Sequence, residues 1–175
     1  MKYVFVLVFI LVYVFFGSEL GYTNTSPFYT HITYLFQHAG LIHLMVNSLA
    51  FVGIFRATER LISKWILILA SLTGGFLLSF LAADDLPTVG ASGMIYMMTG
   101  LYVGITAFSN GIKILNLRKY VIFLTTVVIA LTVSSLSKTS NHILHSLSFL
   151  TGIFIYACCR LIKEMRFPDG RRIFK

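Results

Sequence analysis

Val89-Gly90-Ala91-Ser92-Gly93-Met94-Ile95-Tyr96 is the stretch from which the rest of the chain is read. Asp84, Asp85 and Pro87 precede it and an apolar run of helical length follows, so the Gly-x-Ser-Gly lies where a loop enters a helix. Gly90 and Gly93 leave the Ser92 side chain uncrowded. A helix N-terminus offers unpaired backbone N–H groups and the positive end of the helix dipole to a developing oxyanion. The combination marks a candidate nucleophile. Small residues also mark helix contacts in membranes, so the motif needs partners before it carries chemistry.

Composition sets the environment. Hydrophobic residues make up 57% of the 175, with a mean hydropathy of +0.85. Such a chain reads as an all-α membrane protein with a single domain over residues 1–175. A net charge of +8 would suit a nucleic-acid binder, yet all of the 14 Lys and Arg except Lys138 fall in segments assigned to one side of the membrane. That pattern orients helices, and no nucleic-acid partner is expected. The two cysteines, Cys158 and Cys159, are adjacent and give neither a disulfide framework nor metal-ligand spacing, so no metal or cofactor is expected.

Six apolar runs are read as spans, over residues 2–17, 41–56, 65–82, 92–108, 119–136 and 141–160. The first, with Lys2 before it and Gly17-Ser18-Glu19 after it, also has the outline of a signal peptide. Its cleavage-site pattern is poor and an even number of spans needs it, so it is kept as an anchor. The segment from Gly17 to Gly40 holds Glu19, no Lys or Arg, and many aromatic and hydroxyl side chains, as suits a non-cytoplasmic loop at the membrane interface. Arg56, Arg60 and Lys64 mark one basic turn, Asn110-Gly111 a break, and Lys113, Arg118 and Lys119 a second basic loop. A short turn over residues 137–140 carries Lys138, and a basic tail follows Arg160. The positive-inside rule then puts both termini in the cytoplasm, with the basic tail at anionic lipid head groups. There is no internal repeat.

Depth brings the polar residues together. A helix over residues 92–108 is about 25 Å long at 1.5 Å per residue, against a hydrocarbon core of about 30 Å. Ser92 is therefore expected several Å beneath the outer surface. His145 lies four residues into the last span from Asn141, and His43 and Asn47, i and i+4 on one face, start the second span from the same side. Polar groups at membrane depth are functional candidates by default. Neutral imidazole is suited to take a serine proton, so His145 is the expected base. Asn47, His43 and the Ser92 N–H are the expected oxyanion donors, with Gly90 beside them. Glu59 belongs to the far end of the second span, which leaves a Ser-His dyad. Close approach of the fourth and sixth spans is expected along Ser92, Tyr96, Gly100 and Gly104 on one side and His145, Ser148 and Gly152 on the other. Tyr96 is expected to stack on the His145 ring.

With these residues assembled, the chain resembles an intramembrane serine protease of the rhomboid family. His38-Ala-Gly-Leu-Ile-His43-Leu-Met-Val-Asn47 resembles the family's second-helix His-x4-His-x3-Asn, and Glu59-Arg60-Leu61 its Glu after that helix. Gly90-Ala91-Ser92-Gly93 with Tyr96 resembles the nucleophile motif, and the run from His145 to Gly152 the last-helix His-x-x-Gly-x3-Gly. The match spans residues 30 to 155 in the family's order. It implies a six-transmembrane-helix rhomboid-like bundle in a bacterial inner membrane. It also implies Ser92 as nucleophile, His145 as base, His43 and Asn47 as oxyanion donors, and single-span or multi-span membrane proteins as substrates. Ser148 stands where the family usually has Gly, the first loop lacks the common Trp-Arg pair, and neither a soluble N-terminal domain nor a seventh span is expected.

Other readings attach to the remaining residues. His38 is expected to be structural in the junction before the second span, Glu59 to pair with a nearby Arg or cap backbone groups, and His31 to have no special role. A membrane haem or metal binder using His38, His43, His142 and His145 is the alternative from another class, although it leaves Gly90-Ala91-Ser92-Gly93 and Asn47 without a purpose. A catalytically silent rhomboid-like protein that binds membrane clients is the second alternative.

Overall fold

The computed structural model describes residues 1–16, 19–82, 85–108, 121, 123–130 and 141–166. The described residues are all-α apart from one isolated antiparallel bridge between Tyr22 and Thr88. In chain order the helices are α1 Lys2–Phe16, α2 Thr30–Thr33, α3 Leu41–Thr58, α4 Lys64–Ser79, α5 Ser92–Phe108, α6 over residues 123–130, and α7 His142–Arg166. α3 and α7 are long and apolar enough to cross a membrane; α1 and α4 are shorter apolar helices.

α5 lies at the centre. It packs most extensively on α7 and also against α3 and α4, while α1 packs on α3 and α2 on α4. The buried side of α5 carries Met94, Met97, Met98 and Leu101. On α1 and α3 a run of phenylalanines, Phe5, Phe9, Phe51 and Phe55, closes the other half of the core, with Phe5 and Phe9 both in ring contact with Phe51. Side chains on the outside are as apolar as those within. Leu41, Ile42, Met45, Val46 and Leu49 of α3 are exposed while Asn47 is buried, an arrangement that water would oppose and lipid tails accept.

The expected spans differ from the helices at their ends. α3 runs two residues past Arg56, to Thr58, whose hydroxyl donates to Ile54 O at 2.8 Å. α4 stops at Ser79, short of residue 82, because Leu81 and Ala82 N–H both turn back to Leu78 O and Ser79 Oγ donates to Phe76 O. α7 continues to Arg166, since nothing after Arg160 in the sequence breaks a helix before Pro168 and an apolar boundary is not a helix boundary. α2 was not expected from the pattern; it starts where Thr30 N and Oγ1 both donate to Pro27 O. The fifth span is seen as helix over residues 123–130. Its ends, residue 17, the break at Asn110-Gly111, the basic loop of Lys113, Arg118 and Lys119, the turn at 137–140 and the tail after Arg166 lie outside the described residues.

Candidate active site

The approach to Ser92 is held from the first loop. Gly90 N–H donates to Tyr34 O at 2.9 Å, and the Tyr34 hydroxyl donates to Gly75 O of α4 at 2.9 Å. Gly90 has φ +117°, in the left-handed region that side chains rarely adopt. A Cβ there would stand 2.9 Å from His43 Cε1. Only glycine admits the turn and the imidazole together. The chain then enters α5 at Ser92, whose N–H belongs to the first turn and has no intrahelical acceptor.

Ser92 Oγ lies 2.7 Å from His145 Nε2. The Tyr96 ring, one turn further along α5, is 4.7 Å from the His145 ring at an interplanar angle of 31°, so the imidazole is covered on one face. Its backbone is fixed as well, His145 N–H donating to Asn141 O at 3.2 Å. The short Ser92 to His145 contact depends on bare backbone further down. A methyl group at Gly100 would fall on Phe149 O, one at Gly152 on Met97 O, and one at Gly104 would be 3.0 Å from Tyr156 Cβ. Ser148 is fully buried above Gly152, facing Gly93, and its hydroxyl has no hydrogen-bond partner among the described residues.

The opposite wall comes from the start of α3. Ala39 N–H donates to His43 Nδ1 at 3.4 Å, so in neutral His43 the ring proton is on Nε2. That nitrogen is 3.0 Å, and Asn47 Nδ2 3.4 Å, from the point where a Gly90 Cβ would be. Two N–H donors therefore converge beside Gly90. His38 supports His43 from behind at a ring separation of 5.3 Å, and its Nδ1–H donates to Phe36 O at 3.2 Å. Burial, with a smaller contribution from neighbouring His43, lowers the His38 imidazole to about 4. Ser92, His145, His43, Asn47 and Tyr96 all line one cavity of about 700 Å³, which continues past Thr99 to Ala50, Gly53 and Ala57 of α3 and Thr126 and Ala130 of α6.

A Rhomboid domain profile matches residues 25–161. The chain belongs to the rhomboid family. It is also similar to the "Putative rhomboid protease YdcA" of Bacillus subtilis (strain 168), with 26% identity over 155 residues, covering 86% of this chain and 76% of that protein. A rhomboid domain implies a membrane helical bundle, in agreement with the apolar exterior of this one.

In this rhomboid several residues stand elsewhere than the sequence suggested. Glu59 pairs with Lys2 at the start of α1, not with a nearby Arg. The partner differs because α1 runs back along α3 and brings together residues that the sequence separates by 57 positions, and Glu59 keeps the structural role expected of it. His31 has a structural role: Nδ1 is 2.8 Å from Ser79 Oγ, and the ring stacks on Phe80 at 4.1 Å and Tyr22 at 5.1 Å. Because Ser79 spends its proton on Phe76 O, His31 Nδ1 is the donor. His142 is exposed at the start of α7. Among the described residues no group of three His, Cys, Asp or Glu side chains is placed to hold a metal ion. Tyr34 and Thr88 escaped the sequence reading. Tyr34 holds Gly90 through its carbonyl, which carries no residue signature, whereas Asn141 at a helix start has the recognisable signature of an N-cap.

Proposed function

We propose that this rhomboid is an intramembrane serine endopeptidase working by a Ser92-His145 dyad. The observation that carries the reading is the 2.7 Å contact between Ser92 Oγ and His145 Nε2 at the wall of a cavity that also receives His43 and Asn47. Ser92 Oγ adds to a client's peptide carbonyl carbon while its proton passes to His145 Nε2. The carbonyl oxygen becomes an anion and takes N–H donors from His43 Nε2, Asn47 Nδ2 and the Ser92 backbone. The C–N bond then breaks, His145 gives its proton to the leaving nitrogen, and an ester remains on Ser92. Water adds to the ester with loss of a proton to His145, and that proton returns to Ser92 Oγ as the acid product departs.

No carboxylate assists the imidazole in this reading. Glu59 is at the other end of α3, about 24 Å from His43 by helix rise. Tyr96 and the small residues Gly100, Gly104, Ser148 and Gly152 hold the ring and its helix in place, and His38 and Glu59 brace α3. The chain forms six spans, with both termini cytoplasmic, in a bacterial inner membrane. Clients are single-span or multi-span membrane proteins cut near the outer face, which suits a cavity whose inner end is lined by Ala50, Gly53, Ala57 and Ala130.

Purified protein in detergent is to be incubated with a panel of single-span membrane proteins, wild type beside Ser92→Ala. Cleavage of a client by wild type alone is the expected result. Cleavage by both proteins, or inhibition by a chelator that added zinc reverses, overturns the dyad.

A further inference from the structure

We propose that Asn141 and Thr88 form a positioning clamp that sets the distance between Ser92 and His145, an inference that rests on Ser92 being the nucleophile. Asn141 Nδ2 donates to Thr88 Oγ1 at 2.9 Å and to Ala82 O at 2.6 Å. Those two acceptors use both amide protons, leaving the Tyr22 hydroxyl as a long third neighbour at 3.5 Å. Thr88 stands four residues before Ser92, and Asn141 four residues before His145. The clamp therefore joins the same two segments as the Ser92 to His145 contact, on its outer side.

Each half of the clamp is itself anchored. Thr88 exchanges both backbone hydrogen bonds with Tyr22, at 3.2 and 2.9 Å, and Gly21 packs so closely that a Cβ would be 2.7 Å from Val89 Cγ1. Asn141 caps α7, its Oδ1 accepting from Leu144 N–H at 2.9 Å, and its carbonyl accepts from His145 N–H. A movement of Asn141 is thus transmitted directly to the imidazole. Two turns below His145, Gly100 and Gly152 hold α5 and α7 together by backbone contact. One contact point alone leaves a helix free to tilt and rotate about it. A second one on the other side of His145 fixes the ring against Ser92. Attack geometry is sensitive enough for this to matter, since a displacement of about 1 Å can cost about 100-fold in rate.

The test separates this role from helix capping. Asn141→Ser keeps an N-cap oxygen but is too short to reach Thr88 or Ala82, Thr88→Val keeps shape and loses the acceptor, and Thr88→Ser keeps the acceptor. The full chain is treated with a fluorophosphonate, whose fluoride leaves as Ser92 Oγ bonds to phosphorus and His145 takes the proton. Labelling rate at Ser92 and thermal midpoint are followed together. The expected result is labelling slowed about 10-fold or more in Asn141→Ser and Thr88→Val with midpoints near wild type, Thr88→Ser close to wild type in rate, and the double variant no slower than Asn141→Ser. Wild-type rates in both single variants, independent losses that multiply in the double, a Thr88→Ser loss equal to that of Thr88→Val, or losses that follow the midpoint each overturn the clamp alone. A wild type that takes no label overturns the nucleophile reading and the clamp with it.

Discussion

One backbone N–H decides what His43 offers to the site. Because Ala39 N–H occupies Nδ1, the proton of the neutral ring faces Gly90 from Nε2, and the side chain is a donor there, not a base. His145 differs in having its Nε2 against a hydroxyl. In the proposed mechanism the two imidazoles therefore divide the work without any change of residue type. Asn47 adds a second donor, so Asn47→Ala should slow fluorophosphonate labelling of Ser92 by about 10 to 1,000-fold while the fold survives, because the other donors remain. Full labelling at an unchanged thermal midpoint would show that the Asn47 amide does not face the oxyanion. Tyr96 contributes a ring face to His145, so Tyr96→Phe should label at nearly the wild-type rate and Tyr96→Ala distinctly more slowly. A severe loss in the Phe variant would mean that the hydroxyl matters and the ring contact does not.

Helices and loops show which features local sequence can carry. The start of α5 at Ser92 was legible because Asp, Pro and Gly stop just where apolar residues begin, and polar side chains within apolar runs stand out as site candidates. The late end of α7 was not, because hydropathy marks the membrane and hydrogen bonding continues beyond it. Nor was the brace from Tyr34 O to Gly90 N–H, a contact between backbones that any residue type can make. The same holds for Glu59, whose partner depends on how α1 returns along α3. The loop before α3 carries a pH dependence that its sequence does not announce. In the unfolded chain His38 binds its proton at about 6.5, whereas in the folded protein burial delays this to about 4. Between those values the unfolded state holds more protons, so stability is complete above the window and falls as pH drops through it. The thermal midpoint should be lower at pH 5 than at pH 7.5, and His38→Gln should narrow the difference. An undiminished difference in that variant would assign the effect to other groups.

At the scale of the molecule, apolar side chains cover the outside while polar ones gather within, the reverse of a water-soluble protein, and α5 connects the two by packing on α3, α4 and α7 at once. α1 belongs to this body as more than an address label: Phe9 is fully buried against Phe51 and the His38 ring, and Lys2 is paired with Glu59. All of those contacts lie within the first 59 residues, whereas Ser92 and its proposed base His145 are 53 residues apart and His145 is on the last described helix. The order of synthesis then separates assembly from activity. A ribosome adding about 5 to 20 residues per second makes the serine about 3 to 10 s before the histidine. During that interval the emerging chain already has its first helices inserted beside other newly made membrane proteins, yet it holds an unactivated hydroxyl. Ribosome-bound chains arrested with residue 130 outside the exit tunnel should take no fluorophosphonate label, and chains arrested with residue 166 outside should take it. Equal labelling of the two would mean that Ser92 is activated from within the first six helices. On the proposed mechanism, the placement of His145 so late in the chain would act as a safeguard during biogenesis.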